Sequence, residues 1–298
     1  MRAAATTVGV IVLFTGWLGL SPRLSAQRAS CDRACLEDVM TKFLSSLTAH
    51  DPKVAPLATM VRYTEDAAEK PIGDGFWKTA GKPRAYRTDF LDVRQGVAGV
   101  HTVFEENGAP VLFAARLKVV DKKITEIATM VVRSAQESML FAPENLKEKS
   151  AAMTTMPSKA QLTPREQMVE IALRYPAGLR AGSFVKSDVP FSPTAYRFEN
   201  GVRMAGPGCT FQPPGCQDMR NQRIPTLPGV KQRVVAVDEE NGLVLLWLAF
   251  GPNSLVGPQF QGKGLVTFEG FKVFDGKIQA VEAIFKGMPL DTSSGWPE

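Results

Sequence analysis

The sequence predicts an α+β protein made of two tandem cone-shaped units, each a curved antiparallel sheet wrapped around an N-terminal helix. Three recurring segments predict the duplication: VRYTED at 61–66 with AYRFEN at 195–200, EENG at 105–108 and 239–242, and KVVDKKI at 118–124 with KVFDGKI at 272–278. The first two pairs are 134 residues apart and the third is 154 apart, which predicts a 20-residue insertion between them in the second copy. Two domains also fit the chain length.

The first 26 residues have the features of a signal peptide. Arg2 precedes an apolar run from Val8 to Leu20, and Leu24-Ser25-Ala26 forms an acceptable cleavage site. The apolar run is shorter than the roughly 20 residues that a membrane-spanning helix needs. We therefore expect a secreted or periplasmic protein without membrane association after cleavage.

Each unit is predicted to begin with a helix. In the first unit the apolar residues recur at helical spacing. They are Leu36, Val39, Met40, Phe43, Leu44 and Leu47. The second helix is predicted to start in a capping box at Thr163-Pro164-Arg165-Glu166, to be kinked or interrupted at Pro176, and to end at Gly182.

Tight turns are predicted to join the strands that follow each helix. Asn107-Gly108, Asn241-Gly242 and Asp275-Gly276 are strong signals for two-residue hairpin turns. The predicted division is a first unit at 31–134, a polar linker at 135–162, a second unit at 163–290 and a tail at 291–298.

The four cysteines indicate an oxidising compartment. Three pairings are possible, and we favour the local pairs Cys31–Cys35 and Cys209–Cys216 because each closes a short segment within one unit. A zinc site is a poor alternative, since the cysteine spacings are wrong and the chain has only two histidines. We expect no metal.

Charge and motifs exclude several function classes. Without the first 26 residues, 33 Lys and Arg face 30 Asp and Glu, and the basic residues are scattered, so we expect no nucleic-acid partner. The sequence has no P-loop, no dinucleotide-binding glycine pattern and no G-x-S-x-G or HExxH motif. We expect no cofactor.

Four segments resemble a family of secreted fungal and bacterial proteins that has no assigned function. They are CDRACLEDVMTKFLSSLTAHDP, IGDGFWKTA, KITEIATMVVR and the terminal SSGW. The units of that family are similar to the SnoaL-like branch of the nuclear-transport-factor-2-like superfamily, and the resemblance covers most of the mature chain. It implies a cone with an inner pocket, a scaffold that serves polyketide cyclases, ketosteroid isomerases, dehydratases and binding proteins. The resemblance therefore does not choose a reaction.

Two glutamates in the last hairpin are the main catalytic candidates. If Asp275-Gly276 is a two-residue turn, Glu269 lies opposite Glu282 on a largely apolar face, with β-carbons about 5 Å apart. Burial and a neighbouring carboxylate would raise one pKa, which suits a general acid or base. The alternative is a register slip or an outward face, which would make both glutamates surface residues or partners of an arginine. The candidate arginines are Arg197, Arg203, Arg220, Arg223 and Arg233.

The first unit serves as an internal control for this pair. An offset of 154 places Ala115 and Ala128 at the equivalent positions, so we predict that only the second unit is equipped for chemistry. In the resembling family an acidic residue is common at the final-strand position of both units. Glu282 fits that pattern, whereas Ala128 departs from it.

Other residues are candidates for binding a substrate. They are Trp247, Tyr196 and Arg203 in the second unit and Trp77, Tyr63 and His50 in the first. The simpler interpretation is that the aromatic residues pack in a core and that His50 is a solvated loop histidine.

Three functional hypotheses follow. The first is a cofactor-free isomerase, dehydratase or other lyase that acts on a small apolar organic molecule through Glu269 and Glu282. The second is an extracellular protein that binds a hydrophobic small molecule without turnover. The third is a structural or interaction protein whose sheets pack as an internal pseudo-dimer. We leave open whether the chain is a monomer or a homodimer.

Overall fold

The computed structural model describes residues 1, 31–210 and 215–293. The predicted signal peptide lies outside the described residues except for Met1, as does the end of the predicted tail from residue 294. Within the described ranges, no helix has the length and apolar character needed to cross a membrane.

The chain forms two six-stranded sheets with the same strand order. The first sheet contains β1 (Leu57–Glu65), β2 (Ala68–Glu69), β3 (Ala80–Asp92), β4 (Val97–Glu106), β5 (Ala109–Val120) and β6 (Lys123–Val132). The second contains β7 (Phe191–Glu199), β8 (Val202–Ala205), β9 (Lys231–Asp238), β10 (Leu243–Ala249), β11 (Lys263–Phe274) and β12 (Lys277–Pro289). The orders are β2-β1-β6-β5-β4-β3 and β8-β7-β12-β11-β10-β9. The predicted two-unit α+β organisation is confirmed, and we call residues 31–134 unit 1 and residues 163–290 unit 2.

The sheets are mixed, so the prediction of purely antiparallel sheets is wrong. β1 pairs in parallel with β6, and β7 pairs in parallel with β12, while the other pairs are antiparallel. The parallel pairs arise because the last strand of each unit returns beside the first one and runs in the same direction.

Four α-helices accompany the sheets in the described part of the chain. They are α1 (Arg33–Thr48), α2 (Ala135–Ser138), α3 (Ala151–Thr154) and α4 (Arg165–Ala181). The predicted capping box of α4 does not form, because the Thr163 hydroxyl accepts a hydrogen bond from Gly276 N at 3.1 Å instead. The helix continues through Pro176 and ends at Gly182, whose φ of 64° suits glycine.

The strand registers correct the predicted equivalence of the two units. Val97 and Leu243 pair with Lys118 and Lys272, so β4 and β10 are equivalent at an offset of 146. The insertion is therefore divided, with 12 residues before β9 and 8 between β10 and β11. The EENG recurrence is coincidental, because the first copy joins β4 to β5 and the second joins β9 to β10.

Each sheet packs a helix on one face and the other sheet on its opposite face. The apolar side of α1 packs into unit 1, and that of α4 packs into unit 2. A third apolar cluster contains residues of both sheets, among them Phe90 and Trp247. The contact is close enough to require glycine, since a Cβ on Gly270 would lie 2.5 Å from the Phe90 ring and one on Gly99 would lie 2.6 Å from Leu245.

Two arginine–aspartate pairs connect the units reciprocally. Arg33 of unit 1 binds Asp238 of unit 2 through two hydrogen bonds of 2.6 and 2.9 Å. Arg165 of unit 2 binds Asp92 of unit 1 through bonds of 2.6 and 3.0 Å. Asp92 and Asp238 occupy equivalent strand ends and are buried. The interface thus has approximate twofold symmetry within one chain.

Both predicted disulfides are confirmed. Cys31 lies just before α1 and pairs with Cys35 in the first turn of that helix, and Cys209 pairs with Cys216 in the connection between β8 and β9. The described residues contain no group of three or more His, Cys, Asp or Glu side chains arranged to hold a metal ion.

Candidate functional site

A β-bulge in the last hairpin separates the two candidate glutamates. Phe274 and Val273 pair with Lys277 and Ile278 as predicted, but the register then shifts by one residue. Glu269 consequently pairs with Ala283, and Glu282 pairs with Gly270. The prediction that the two glutamates face each other is wrong, because neighbouring positions on a strand point to opposite faces.

Glu269 lies in a cavity on the helix side of unit 2. The cavity has a volume of about 250 Å³. Its walls are mostly apolar and include Leu179, Ile224, Leu227, Phe250, Leu265 and Phe285. Glu269 is only 2% exposed, and its Oε2 atom has no hydrogen-bond partner among the described residues. A free carboxyl oxygen is therefore available at the cavity wall.

A buried arginine organises the polar part of the cavity. Arg197 Nη1 donates to Tyr175 Oη at 3.0 Å, and Nη2 donates to Gln222 Oε1 at 3.1 Å. Arg197 Nε lies 2.7 Å from Glu199 Oε1 in an ion pair, although its N–H is not aligned for a hydrogen bond. All five polar side chains, Glu269 included, line the cavity. They come from α4, β7, β11 and the loop before β9.

This arrangement raises the pKa of Glu269 to about 8. Burial makes the largest contribution, and the negative charge of Glu199 adds to it. The charge of Arg197 and a hydrogen bond with Tyr175 oppose the increase. The Arg197 guanidinium lies against Glu199 and only partly offsets the effect of burial on Glu269. Glu269 therefore keeps its proton near neutral pH.

Aromatic residues occupy the equivalent interior of unit 1. Tyr63 stands at the position of Arg197 and Ala115 at that of Glu269. Trp77 packs edge-on against Phe43 and Tyr63 at 5.5 and 5.3 Å between ring centroids. The Tyr63 hydroxyl donates to Glu65 at 2.8 Å, so this carboxyl already has a partner. The polar cavity is thus a feature of unit 2.

Glu282 lies on the opposite face of its sheet, between the two units. It is 3% exposed and accepts a hydrogen bond from Tyr86 Oη of unit 1 at 2.9 Å. Burial raises the pKa of Glu282, and hydrogen bonds with Ser150 and Tyr86 oppose that increase. The geometry gives Glu282 a position in the interface rather than in the cavity of Glu269.

None of the six substrate-binding candidates lines the cavity. Trp247 and Tyr196 belong to the apolar cluster between the sheets, and Arg203 stacks over the rings of Tyr196 and Phe198 at 5.1 and 4.8 Å. Trp77 and Tyr63 are buried in the interior of unit 1. His50 is exposed after the end of α1. A bulge in the pairing of β9 with β10 places Arg233 opposite Trp247.

Sequence reasoning missed most of the polar cavity residues. Tyr175, Glu199 and Gln222 were not identified, and Arg197 was considered only as a possible partner of a glutamate. Comparison of the units offers the signal, because Tyr175 replaces Phe43 on the apolar face of the first helix. A tyrosine in one helix where the other has phenylalanine indicates which unit has polar groups in its interior.

The comparisons with known proteins identify a domain but no activity. Residues 161–285 match the family described as Domain of unknown function (DUF8021), so this domain is found in the second half of the chain. The match includes Tyr175, Arg197 and Glu269. No curated protein matches the sequence. The fold and cavity therefore define a two-unit α+β protein whose second unit carries a DUF8021 domain.

Proposed function

We propose that this is a secreted, cofactor-independent enzyme whose unit 2 performs general acid/base chemistry on a small, mostly apolar organic molecule. The reaction would be an isomerisation, a dehydration or another lyase step. We also propose that both units are SnoaL-like cones, in keeping with the helix on one face of each sheet. The observation that carries the proposal is the buried carboxyl of Glu269, with a free oxygen at the wall of an apolar cavity.

Glu269 alone would transfer the proton. With a pKa of about 8, the carboxyl group is present in both protonation states near neutral pH. The ionised form would remove a proton from a carbon atom of the substrate, and the resulting acid would return it to another atom. Arg197 would act as a positioning residue, because its hydrogen bond to Tyr175 fixes the phenol near Glu269. Glu282 has no role in this mechanism.

A model reaction tests the base directly. In 5-nitrobenzisoxazole, removal of the ring C–H proton breaks the N–O bond and releases a coloured cyanophenolate. We expect the protein to accelerate this reaction, with a rate that rises with pH through about 8. Glu269→Gln should lower the rate by about 100-fold or more, the usual contribution of a general base.

Glu282→Gln is the matched control for this experiment. It removes a second buried glutamate of the same hairpin that lies on the opposite face, so its rate should stay close to that of the wild type. Equal rates for Glu269→Gln and the wild type would contradict the proposed role of Glu269.

A second candidate function is binding without turnover. One observation favours it: Arg197 donates hydrogen bonds to both Tyr175 and Gln222, whereas Glu269 Oε2 has no hydrogen-bond partner among the described residues. A protonated carboxyl can donate a hydrogen bond to a ligand carbonyl without any further step. In that case Glu269→Gln should weaken ligand binding only modestly, and no proton transfer should be detected in the wild type.

A further inference from the structure

A methionine from the linker lies at the mouth of the unit 2 cavity. Glu269 and Tyr175 are each 2% exposed and form its deep end. Met139 also lines the cavity but is 39% exposed, as expected for a residue at the boundary with solvent. Arg223 and Pro225, which are exposed lining residues from the loop before β9, share this boundary. The cavity of unit 2 is therefore partly closed by a residue from outside unit 2.

The backbone at Met139 is strained. Its φ is 67° and its ψ is −42°, and Leu140 N donates to Ser138 O at 2.8 Å across it. This is a γ-turn with positive φ, which is rare for a residue with a side chain. Glycine would avoid the strain, yet the chain has a large apolar side chain here. Strain of this kind persists at functional sites where the surroundings impose it.

The residues beside Met139 are anchored to unit 2, which imposes its position. The buried Asn200 donates from Nδ2 to Leu140 O at 3.0 Å and to Phe285 O at 2.8 Å. Its backbone carbonyl accepts from Ala142 N at 2.8 Å. The Ser138 hydroxyl binds the carbonyls of Ser134 and Leu140 at 3.0 and 2.7 Å. Because Phe285 also lines the cavity, the same network connects the linker to the cavity wall.

We propose that Met139 is a specificity-determining residue that closes the cavity mouth and limits the size of the ligand. This inference rests on the proposed function, since it requires unit 2 to take up an apolar molecule. The unbranched thioether side chain is well suited to this position, because it adapts to ligands of different shape. Small aromatic molecules would pass beneath it, whereas larger ones would collide with it.

Two neutral aromatic probes of different size test the proposal. Indole has one fused ring system, and N-phenyl-1-naphthylamine is nearly twice as large. We expect the wild type to bind indole more tightly than N-phenyl-1-naphthylamine. Met139→Ala should improve the affinity for the larger probe by about tenfold or more, the scale of one to a few methylene groups in an apolar pocket. Its affinity for indole should change much less.

Two further variants separate specificity from stability. Met156→Ala removes a 67% exposed methionine of the same linker that does not line the cavity, so the affinity ratio of the two probes should not change. Met139→Gly also removes the side chain but tolerates positive φ. Met139→Gly should therefore show the same altered ratio of probe affinities as Met139→Ala. It should also unfold at a higher temperature than Met139→Ala.

The outcomes distinguish this inference from the function on which it rests. If indole binds and the probe ratio is the same in the wild type, Met139→Ala and Met139→Gly, then Met139 does not select ligands and the inference is wrong. If neither probe binds to any variant, including the opened ones, the cavity takes up no apolar aromatic molecule. That result would overturn both this inference and the proposed function.

Discussion

At the scale of single residues, three substitutions between the repeated units distinguish their interiors. Phe43, Tyr63 and Ala115 in unit 1 correspond to Tyr175, Arg197 and Glu269 in unit 2. The first set packs in the apolar core of unit 1, and the second contributes to a polar cluster in which Arg197 donates to Tyr175. One arginine between Glu199 and Glu269 then leaves Glu269 as the carboxyl with a strongly raised pKa.

The pKa of Glu269 predicts how stability depends on pH. The folded protein keeps this proton up to about pH 8, whereas the unfolded chain releases it near the ordinary value of 4.5. Wild-type stability should therefore decrease relative to that of Glu269→Gln as pH rises from 4.5 to 8, by at most about 1.4 kcal/mol per pH unit. Urea unfolding of both proteins across this range measures the difference. A difference that does not vary with pH would contradict the raised pKa.

His101 predicts the opposite dependence. It is buried beside Phe90, and burial lowers its pKa from 6.5 to about 3, although a hydrogen bond with the Phe268 backbone opposes that decrease. Between these two pH values His101 binds a proton in the unfolded chain but not in the folded protein. The free energy of unfolding should therefore decrease as pH falls from 6.5 towards 3.

His101→Phe removes this acid sensitivity while keeping an aromatic ring. The variant should gain stability relative to the wild type between pH 7 and pH 4, as measured by chemical unfolding. An unchanged difference in the free energy of unfolding over this range would show that His101 titrates normally.

At the scale of elements, one β-bulge between β11 and β12 is the reason that Glu269 and Glu282 do not face each other as predicted. The hairpin turn at Asp275-Gly276 was predictable, but the extra residue at Gln279 moved Glu282 to the other face of the sheet. The sequence contains a signal for it, because Ile278 and Val281 both pack on the helix side although they are three residues apart. Ile124 and Ile127 show the same spacing in unit 1. Strict alternation along a strand cannot represent such an irregularity.

The short segment before β3 plays a different role from its longer counterpart in unit 2. The 3₁₀ turn Gly75–Lys78 places Trp77 and Phe76 in the interior of unit 1. In unit 2 the connection before β9 is longer and lines the cavity with Gln222, Ile224 and Leu227. The recurrence of short motifs predicted two copies but not the positions of the insertions, because EENG recurred by chance.

Trp77→Ala tests the idea that unit 1 is a filled version of unit 2. Removing this side chain should cost about 3–5 kcal/mol of stability and leave an apolar cavity. Indole should occupy that cavity and restore part of the loss. Calorimetry should detect one indole molecule per wild-type chain, bound in unit 2, and two per Trp77→Ala chain. A stoichiometry that does not increase would show that unit 1 collapses around the lost ring.

At the scale of the whole molecule, the two units pack through an interface with approximate twofold symmetry. Asp238 accepts from Arg33 and from Leu91 N, and Asp92 accepts in the same way from Arg165 and from Val237 N. The duplication was predictable from the sequence. These contacts were not, because they depend on which strand ends meet after both units have folded.

The reciprocal pairs predict equal effects for two distant mutations. Arg33→Met and Arg165→Met each leave a buried carboxylate without its arginine partner, so each should lower the free energy of unfolding by about 3 kcal/mol. Because the sheets share an apolar cluster, urea unfolding should remain a single transition. Arg94→Met is the control, since Arg94 also contacts unit 2, through Glu239 at 2.8 Å, but is 60% exposed. Two separate transitions in the wild type would contradict this description of the interface.

The most direct measurement is the titration of the Glu269 carboxyl itself. Carbon-13 labelling of glutamate side chains allows each carboxyl to be followed by NMR from pH 4 to pH 10, and Glu269→Gln assigns the signal. We predict a carboxyl that titrates near pH 8 and whose signal shifts when indole is added. A titration near the ordinary value of 4.5 with no response to indole would show that Glu269 is neither the protonated carboxyl nor the ligand-facing group of this account.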